Sequence, residues 1–216
     1  MDRDFLLLIP ILLFSIVVHE VAHAWQARRE GDDTAEKLGR ITLNPLPHLD
    51  LVGSVIIPLL LWFGNAGFLF GWAKPVPVDP RNFRRYRAGD IRVSLAGIVS
   101  NLGLAVVFTL LAAAFTAMGA GLGVVGEVLR AGAVYGILIN LILAFFNLIP
   151  IPPLDGSHVM FHLLPPRLAL RYRELGRFGL LILMALVFFF PRAFQVLLSP
   201  VYLLMGAADA FIRLWA

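Results

Sequence analysis

The chain has 216 residues, of which 59% are hydrophobic and only 15% are charged, and its formal net charge is +4. A soluble globule needs more polar surface than this composition supplies, so the sequence predicts an integral membrane protein. The absence of cysteine excludes disulfides and thiolate ligands, which leaves histidine and carboxylate groups to hold any metal. The basic residues flank apolar segments, a pattern that is typical of membrane orientation and argues against nucleic-acid binding.

The first apolar segment, residues 5–27, is long enough to cross a bilayer and contains two histidines and a glutamate. His19 and His23 are four positions apart, so on a helix both imidazoles leave the same face and can converge on one ion. Glu20 lies one step round from His19, which suits a base that takes a proton from water. The pattern is H-E-x-x-H. A chance match is the alternative, but ionisable residues at this membrane depth are usually functional.

Three loops carry fourteen of the eighteen Lys and Arg residues: 28–50, 74–92 and 156–177. By the positive-inside rule they share the cytoplasmic side of the membrane, which places the two histidines near the cytoplasmic end of the first span. In the first of these loops, the alternation over residues 39–43 predicts a brief strand whose edge could accept an extended substrate. A plain surface loop is the alternative there.

Residues 51–73 are apolar over a full span but are interrupted by Pro58, Gly64, Asn65 and Gly67. Because basic loops flank both ends, we favour a re-entrant segment that enters the membrane and returns. A true crossing is the alternative, and it would put the following basic loop outside.

Further crossings are predicted at about residues 93–118 and 133–149, and the second ends in FFNLIPIPPLDG. The prolines and glycine of that stretch break the helix, which puts Asp155 at the same membrane level as His19 and His23. A helix-capping or surface aspartate is the alternative. The Asn147 amide could stabilise an oxyanion, or it could form an ordinary interhelical hydrogen bond.

A second pair with metal-ligand spacing, His158 and His162, follows Asp155 closely, but Val159 stands where a base would be needed. We assign the pair to the basic interfacial stretch and leave open a contact of one of them with metal or substrate. Beyond it, residues 178–190 predict another crossing, and residues 193–216 predict either a last crossing or an interfacial helix.

Together these segments predict an all-α polytopic membrane protein with about 4–6 transmembrane segments, a small cytoplasmic-side β element and a re-entrant segment. We expect a single membrane-embedded domain over residues 1–216. Its catalytic core would span about residues 5–165, followed by C-terminal membrane segments at 176–216.

Three stretches together resemble the site-2 protease family of intramembrane zinc metalloproteases: HEVAH (19–23), GRITLNPLPHLD with GWAKPVPVDP (within 39–80), and NLIPIPPLDG (147–156). Their combination and order are far more specific than H-E-x-x-H alone. Within the family the chain looks like the compact prokaryotic kind without a PDZ or CBS domain. One departure is AGIVSN (96–101), where Ile98 replaces the family's proline while Gly97 and Asn101 remain.

The resemblance implies one zinc ion bound by His19, His23 and Asp155. It also implies that Glu20 is the catalytic base, and that Asn147 matches the asparagine that stabilises the intermediate or holds substrate. The substrate would be a single-pass transmembrane protein, cut within or near its membrane segment. The enzyme would be a multi-pass protein of a prokaryotic cell membrane, with its active site near the cytoplasmic side.

Two other classes of function place histidine and carboxylate groups in a bilayer. A metal-ion or proton transporter would string ionisable residues across the membrane thickness, whereas this sequence gathers them at one level. An inactive scaffold that binds other helices would have no need of Glu20.

Overall fold

The computed structural model describes residues 3–64 and 73–216, and every regular element within those ranges is helical. This confirms the all-α prediction. Three long helices dominate: α1 (Arg3–Glu30), α4 (Tyr86–Ala117) and α5 (Gly123–Asn147). The shorter helices are α2 (Thr34–Lys37), α3 (Ile57–Phe63), α6 (Asp155–Leu163), α7 (Pro166–Glu174), α8 (Gly179–Phe189), α9 (Pro191–Leu197) and α10 (Ser199–Arg213).

The three long helices are long and apolar enough to cross a membrane, by length and composition. Residues Pro166–Phe189 and Pro191–Leu197 pass the same test as a pair, with a bend of 104° between them. The described residues therefore hold three candidate spans, or four if the bent pair counts as one, which agrees with a polytopic membrane protein. The predicted last crossing at 193–216 is divided between α9 and the 15 residues of α10.

Helices α1, α4 and α5 pack against one another because small residues line their contacts. Gly136 of α5 faces the ring of Phe108 so closely that a Cβ atom there would overlap the ring. Ala105, Ala112 and Ile137 belong to the buried cluster between α4 and α5, and Val201 and Ile212 of α10 complete it. This packing places the middle of α1 beside the first half of α4, which is where the candidate site lies.

The last turn of α1 is closed by Gly31, whose φ of 115° is in the region that favours glycine. Behind it, the fully buried Asp32 accepts hydrogen bonds from the Asp79 amide at 2.8 Å and from Asn82 Nδ2 at 2.9 Å. The Arg84 amide also donates to the Glu30 carbonyl at 2.8 Å. These bonds fix the segment before α4 to the end of α1.

The strand predicted at residues 39–43 does not form in the structure, so that part of the fold prediction is wrong. The Arg40 amide donates within its own loop, to the Ala35 carbonyl at 2.8 Å. Its guanidinium, rather than its backbone, contacts the neighbouring segment, through the carbonyls of Lys74 and Pro75 at 2.9 and 3.3 Å. Since proline has no N–H, the segment containing Pro75 and Pro77 cannot complete a ladder of backbone hydrogen bonds.

The apolar stretch predicted to re-enter the membrane is described only in part. A π-helix covers Leu51–Ile56, α3 follows it, and residues 65–72 lie outside the described ranges. Asn65 and Gly67 are among those residues. Whether residues 51–73 cross or return therefore stays a prediction.

Candidate metal centre

Three ligand atoms from two separate parts of the chain converge between α1 and the start of α6. His19 Nε2 and His23 Nε2 lie 3.0 Å apart. Asp155 Oδ2 lies 3.1 Å from the first and 3.3 Å from the second. Among the described residues, this is the single group of three or more His, Cys, Asp or Glu side chains with that convergence. The H-E-x-x-H spacing brings the histidines together, and the break between α5 and α6 brings the aspartate to them.

The other nitrogen of each imidazole is engaged by an oxygen atom of α4. His19 Nδ1 lies 2.6 Å from Asn101 Oδ1, and His23 Nδ1 lies 2.7 Å from the Val93 carbonyl oxygen. Because these oxygens accept hydrogen bonds, each neutral ring carries its proton on Nδ1 and directs the Nε2 lone pair at the centre. This is the second-shell arrangement that orients metal-binding histidines.

The geometry of the group fits a tetrahedral zinc ion. Ligands at about 2.0–2.1 Å from such an ion lie about 3.3 Å from one another, close to the three separations here. With both imidazoles neutral and protonated on Nδ1, the buried Asp155 Oδ2 has no hydrogen-bond partner, so no donor from the protein offsets the charge of this oxygen. Two imidazole nitrogens and one carboxylate form a donor set found in catalytic zinc sites, which leave a fourth position open. The residues present therefore fit zinc.

The carboxyl group of Asp155 lies at the first residue of α6, outside the candidate membrane spans. In the metal-free centre, burial on its own raises the pKa of this group, but protons that it shares with the imidazoles of His19 and His23 outweigh that effect and hold the pKa well below its usual range, and a bound metal ion takes the place of those protons. The carboxylate form required for a metal ligand is therefore the favoured one.

Gly97 of α4 allows the helix backbone to approach both histidines. A Cβ atom at this position would lie 2.5 Å from His19 Cε1 and 2.5 Å from His23 Nε2. Only glycine therefore fits without displacing the ligands. The motif AGIVSN thus supplies two elements of the site, namely the space at Gly97 and the amide of Asn101.

Glu20, the predicted base, is oriented by the segment that precedes α4. Its Oε2 atom accepts a hydrogen bond from the Val76 amide at 2.8 Å, and Val76 packs with Ala24 and Ala35 in a small buried cluster. Glu20 is next to His19 in sequence but is absent from the converging group. Its role as catalytic base stays a prediction.

Asn147 lies at the last residue of α5, where its Nδ2 donates to the Leu143 carbonyl of the same helix at 2.9 Å. This bond neither supports nor excludes a role toward substrate. The predicted function of Asn147 therefore also stays a prediction.

The second histidine pair faces a different carboxylate. His162 Nε2 contacts Asp90 Oδ2 at 2.7 Å, and His158 Nδ1 lies 3.4 Å from the same group. The Asp90 carboxylate raises the pKa of His158 above its usual value, which burial alone would lower. The pair thus joins α6 to α4 and is separate from the triad.

Sequence reasoning assigned no role to three polar residues beside the site, although it named Asn101 as part of the AGIVSN motif. Ser15, Asn101 and Asn140 are all fully buried, and they connect α1, α4 and α5 by hydrogen bonds. The signal that could have found them is a polar side chain inside an otherwise apolar span, because such residues usually make interhelical contacts. Their mutual contacts could not be predicted, because the sequence does not give the rotation of the helices relative to one another.

Comparisons with known proteins identify relatives over nearly the whole chain. YwhC of Bacillus subtilis, which is named as a candidate zinc metalloprotease, is 37% identical over 216 residues, covering 97% of this chain and 90% of its own length. Two proteins named Rip2, also as candidate zinc metalloproteases, match as well. The Mycolicibacterium smegmatis protein is 32% identical, covering 85% of this chain and 67% of its own length, and that of Mycobacterium tuberculosis is 31% identical, covering 98% and 78%. No solved structure matches the chain.

Apolar spanning helices and a convergent ligand group define the class of a membrane metalloprotease. The model of peptidase family M50 matches residues 125–190, which contain Asn147 and Asp155. With the full-length relatives, this shows that the chain belongs to peptidase family M50, the site-2 protease family. The resemblance seen in the sequence is therefore confirmed.

Proposed function

We propose that this protein is an intramembrane zinc metalloprotease that hydrolyses a peptide bond within or near a transmembrane segment of a membrane protein. His19, His23 and Asp155 hold the zinc ion. The observation that carries the proposal is the triangle of their ligand atoms, with sides of 3.0, 3.1 and 3.3 Å. Both imidazoles are held with Nε2 toward its centre.

Zinc bound here supplies a Lewis acid that polarises the scissile carbonyl and lowers the pKa of water from about 15.7 toward about 7. Glu20 takes the proton from the attacking water and later delivers it to the leaving amine. The Val76 amide keeps the Glu20 carboxylate in one orientation until that transfer. Asn147 would donate to the carbonyl oxygen of the substrate after leaving its bond to Leu143.

The substrate must expose a peptide bond that a transmembrane helix normally shields. Opening backbone hydrogen bonds in lipid is costly, so helix-breaking residues near the cleavage site should favour hydrolysis. Replacing them with strong helix formers such as leucine should slow cleavage. Equal cleavage of both substrates would contradict this part of the proposal.

The active site lies near the cytoplasmic side of the membrane in this proposal. His19 and His23 lie in the second half of α1, whose last turn carries Arg28 and Arg29. By the positive-inside rule this basic end faces the cytoplasm, where water can reach the site. The membrane would be that of a prokaryotic cell, as for the bacterial relatives.

The proposal is tested with the full chain in detergent or liposomes and a single-span substrate, with bound zinc measured in the same samples. Wild type should cut within the membrane segment. Glu20→Gln should retain zinc and lose activity by about 10²–10⁴-fold, the usual contribution of a general base. His19→Ala should lose both zinc and activity.

Glu127→Gln is the matched control, because Glu127 is an exposed carboxylate in the first turns of α5, far along the chain from both parts of the triad. It should behave as wild type. Full activity in Glu20→Gln would exclude Glu20 as the base, and undiminished zinc in His19→Ala would exclude the ligand set.

A further inference from the structure

Three neutral polar side chains form a continuous network in the interior of the helix bundle. Ser15 of α1, Asn101 of α4 and Asn140 of α5 are each 0% exposed. Asn101 Nδ2 donates to Asn140 Oδ1 at 2.8 Å, and Asn140 Nδ2 donates to Ser15 Oγ at 2.9 Å. We call these three residues the amide network. Burying two amides in a membrane interior is costly unless their hydrogen bonds are made, so their arrangement needs a reason.

One backbone oxygen sets the direction of every bond in the amide network. Asn140 Nδ2 also donates to the Gly136 carbonyl of its own helix at 2.8 Å. A carbonyl oxygen only accepts, so the NH₂ group of Asn140 must face Gly136, and its oxygen must face Asn101. The NH₂ group of Asn101 must then face Asn140. The oxygen of Asn101 is therefore left to face His19.

This direction decides which nitrogen of His19 carries the proton. Asn101 Oδ1, 2.6 Å from His19 Nδ1, accepts the Nδ1 proton. If the Asn101 amide were reversed, its NH₂ group would face Nδ1 and the ring proton would move to Nε2. Nε2 would then have no lone pair for a metal. A second contact of Asn101 Nδ2, with the Ser15 carbonyl, is long at 3.4 Å and holds the amide only weakly.

The other histidine needs no such support. His23 Nδ1 faces the backbone carbonyl of Val93 at 2.7 Å, and a backbone carbonyl within a helix cannot exchange its oxygen for a donor. Of the two histidines, only His19 therefore depends on a side-chain amide that could flip.

We infer that Asn140 is a positioning residue that acts through Asn101 to keep the Nε2 lone pair of His19 directed at the metal. This inference rests on the proposed zinc site of His19, His23 and Asp155. Asn140 contacts neither metal nor substrate in this assignment. Its effect is on the proton position of a ligand two hydrogen bonds away.

The experiment measures the zinc dissociation constant of the full chain in detergent by competition with a chelator. Removing second-shell partners of metal ligands usually weakens metal binding by about 10–100-fold. Asn101→Leu should lose zinc affinity by a factor within that range. Asn140→Leu should weaken zinc binding by about 10-fold, at the lower end of it.

Two further variants separate positioning from general packing. Asn140→Asp, as the neutral acid favoured by burial, keeps an oxygen toward Asn101 and a donor toward Gly136, so it should bind zinc as wild type does. Thr109→Val removes a hydrogen bond from α4 to its own Ala105 carbonyl, remote from the triad, and should leave zinc affinity unchanged.

The tautomer is read directly from ¹⁵N histidine spectra of the zinc-free wild type. The expected signature is a protonated Nδ1 in His19, and its loss in Asn140→Leu. An unprotonated Nδ1 of His19 in wild type would overturn the inference without any variant. Equal zinc affinity in Asn140→Leu and Thr109→Val would overturn it as well.

Zinc binding by His19→Ala distinguishes a failure of the positioning role from a failure of the proposed metal site. If His19→Ala loses zinc but Asn140→Leu does not, the metal site stands and the positioning role fails. If His19→Ala keeps its zinc, the metal site itself fails.

Discussion

Two polar clusters support the candidate metal centre, and they are built from different chemistry. The amide network lies in the middle of the bundle and consists of neutral groups with no exposed surface. The second cluster, which we call the carboxylate–imidazole cluster, joins Asp90 of α4 to His158 and His162 of α6. The His158 side chain is 52% exposed. The amide network thus has no access to solvent, whereas the carboxylate–imidazole cluster meets solvent at His158 while Asp90 and His162 are buried.

Each cluster positions a different ligand of the centre. The amide network acts on the ring of one histidine, whereas the carboxylate–imidazole cluster fixes the helix that begins with Asp155. The neutral groups of the amide network do not titrate near neutral pH, whereas the histidines of the carboxylate–imidazole cluster do. Helix α4 carries members of both clusters, with Gly97 between Asp90 and Asn101 along the chain.

The largest effect is expected from Gly97→Ala, because the added Cβ atom would lie 2.5 Å from ring atoms of both histidines. It should weaken zinc binding more than any change within either cluster, by more than about 100-fold, beyond the usual second-shell range. The measurement is zinc affinity by chelator competition.

Gly103→Ala is the control on the same helix, since nothing lies within 4 Å of a Cβ atom there. It should leave zinc binding unchanged and stabilise α4 by about 0.5–1 kcal/mol. Similar zinc loss in both variants would show that α4 tolerates no added side-chain atom, and that the space at Gly97 is not special.

Asp90→Asn should break the carboxylate–imidazole cluster while leaving the amide network intact. Loss of a hydrogen bond to a charged group at a buried site should lower the free energy of unfolding by about 1–3 kcal/mol. Zinc binding should weaken too, because α6 positions Asp155. Chemical denaturation of the zinc-free protein and chelator competition give the two values.

Asp209→Asn provides the comparison for a surface pair, since Asp209 contacts Arg213 one turn away with its side chain 56% exposed. A change of about 0.5 kcal/mol or less is expected there. Equal losses in Asp90→Asn and Asp209→Asn would contradict a supporting role for Asp90.

Ser15→Ala should have a smaller effect, because it removes one acceptor from Asn140 while the Gly136 carbonyl remains. The free energy of unfolding should fall by about 0.5–1.5 kcal/mol, the usual value of one hydrogen bond, with zinc affinity unchanged. Unfolding and zinc competition on the same sample check both. A zinc loss as large as in Asn140→Leu would mean that Ser15, rather than Gly136, sets the direction of the network.

The smallest effect is a pH dependence confined to the carboxylate–imidazole cluster. Asp90 raises the pKa of His158 above its ordinary value of 6.5, and Asp155 also raises it while burial and His23 lower it. The stability from the charged pair is therefore full below pH 6.5 and is lost as pH rises through the raised pKa.

The difference in melting temperature between wild type and His158→Gln should accordingly shrink as pH rises, with chelator present throughout. The corresponding difference for Ser15→Ala should stay constant over the same range. A pH-independent difference for His158→Gln would show that its contact with Asp90 is not ionic.

Sequence reasoning predicted that His19, His23 and Asp155 lie together, as they do in the structure, because the placement of each depends on local chemistry. Helical spacing places the histidines on one face, and a run of prolines ends α5 so that the aspartate returns to their level. The contacts of Asn140 could not be predicted, since the partners of this residue depend on how three helices are rotated against one another. The strand predicted at 39–43 failed because alternation alone does not supply a partner, and the neighbouring segment contains prolines.

The hydrogen bonds at the end of α1 restrict the movement of the segment that orients Glu20. The segment that orients Glu20 is tethered to α1 through Asp32, which holds the Asp79 amide and Asn82, and through the Glu30 carbonyl, which holds the Arg84 amide. Movement of this segment away from α1 would break these three hydrogen bonds and would also take the Val76 amide away from the Glu20 carboxylate. The segment is therefore fixed relative to α1, and the orientation of Glu20 is fixed with it.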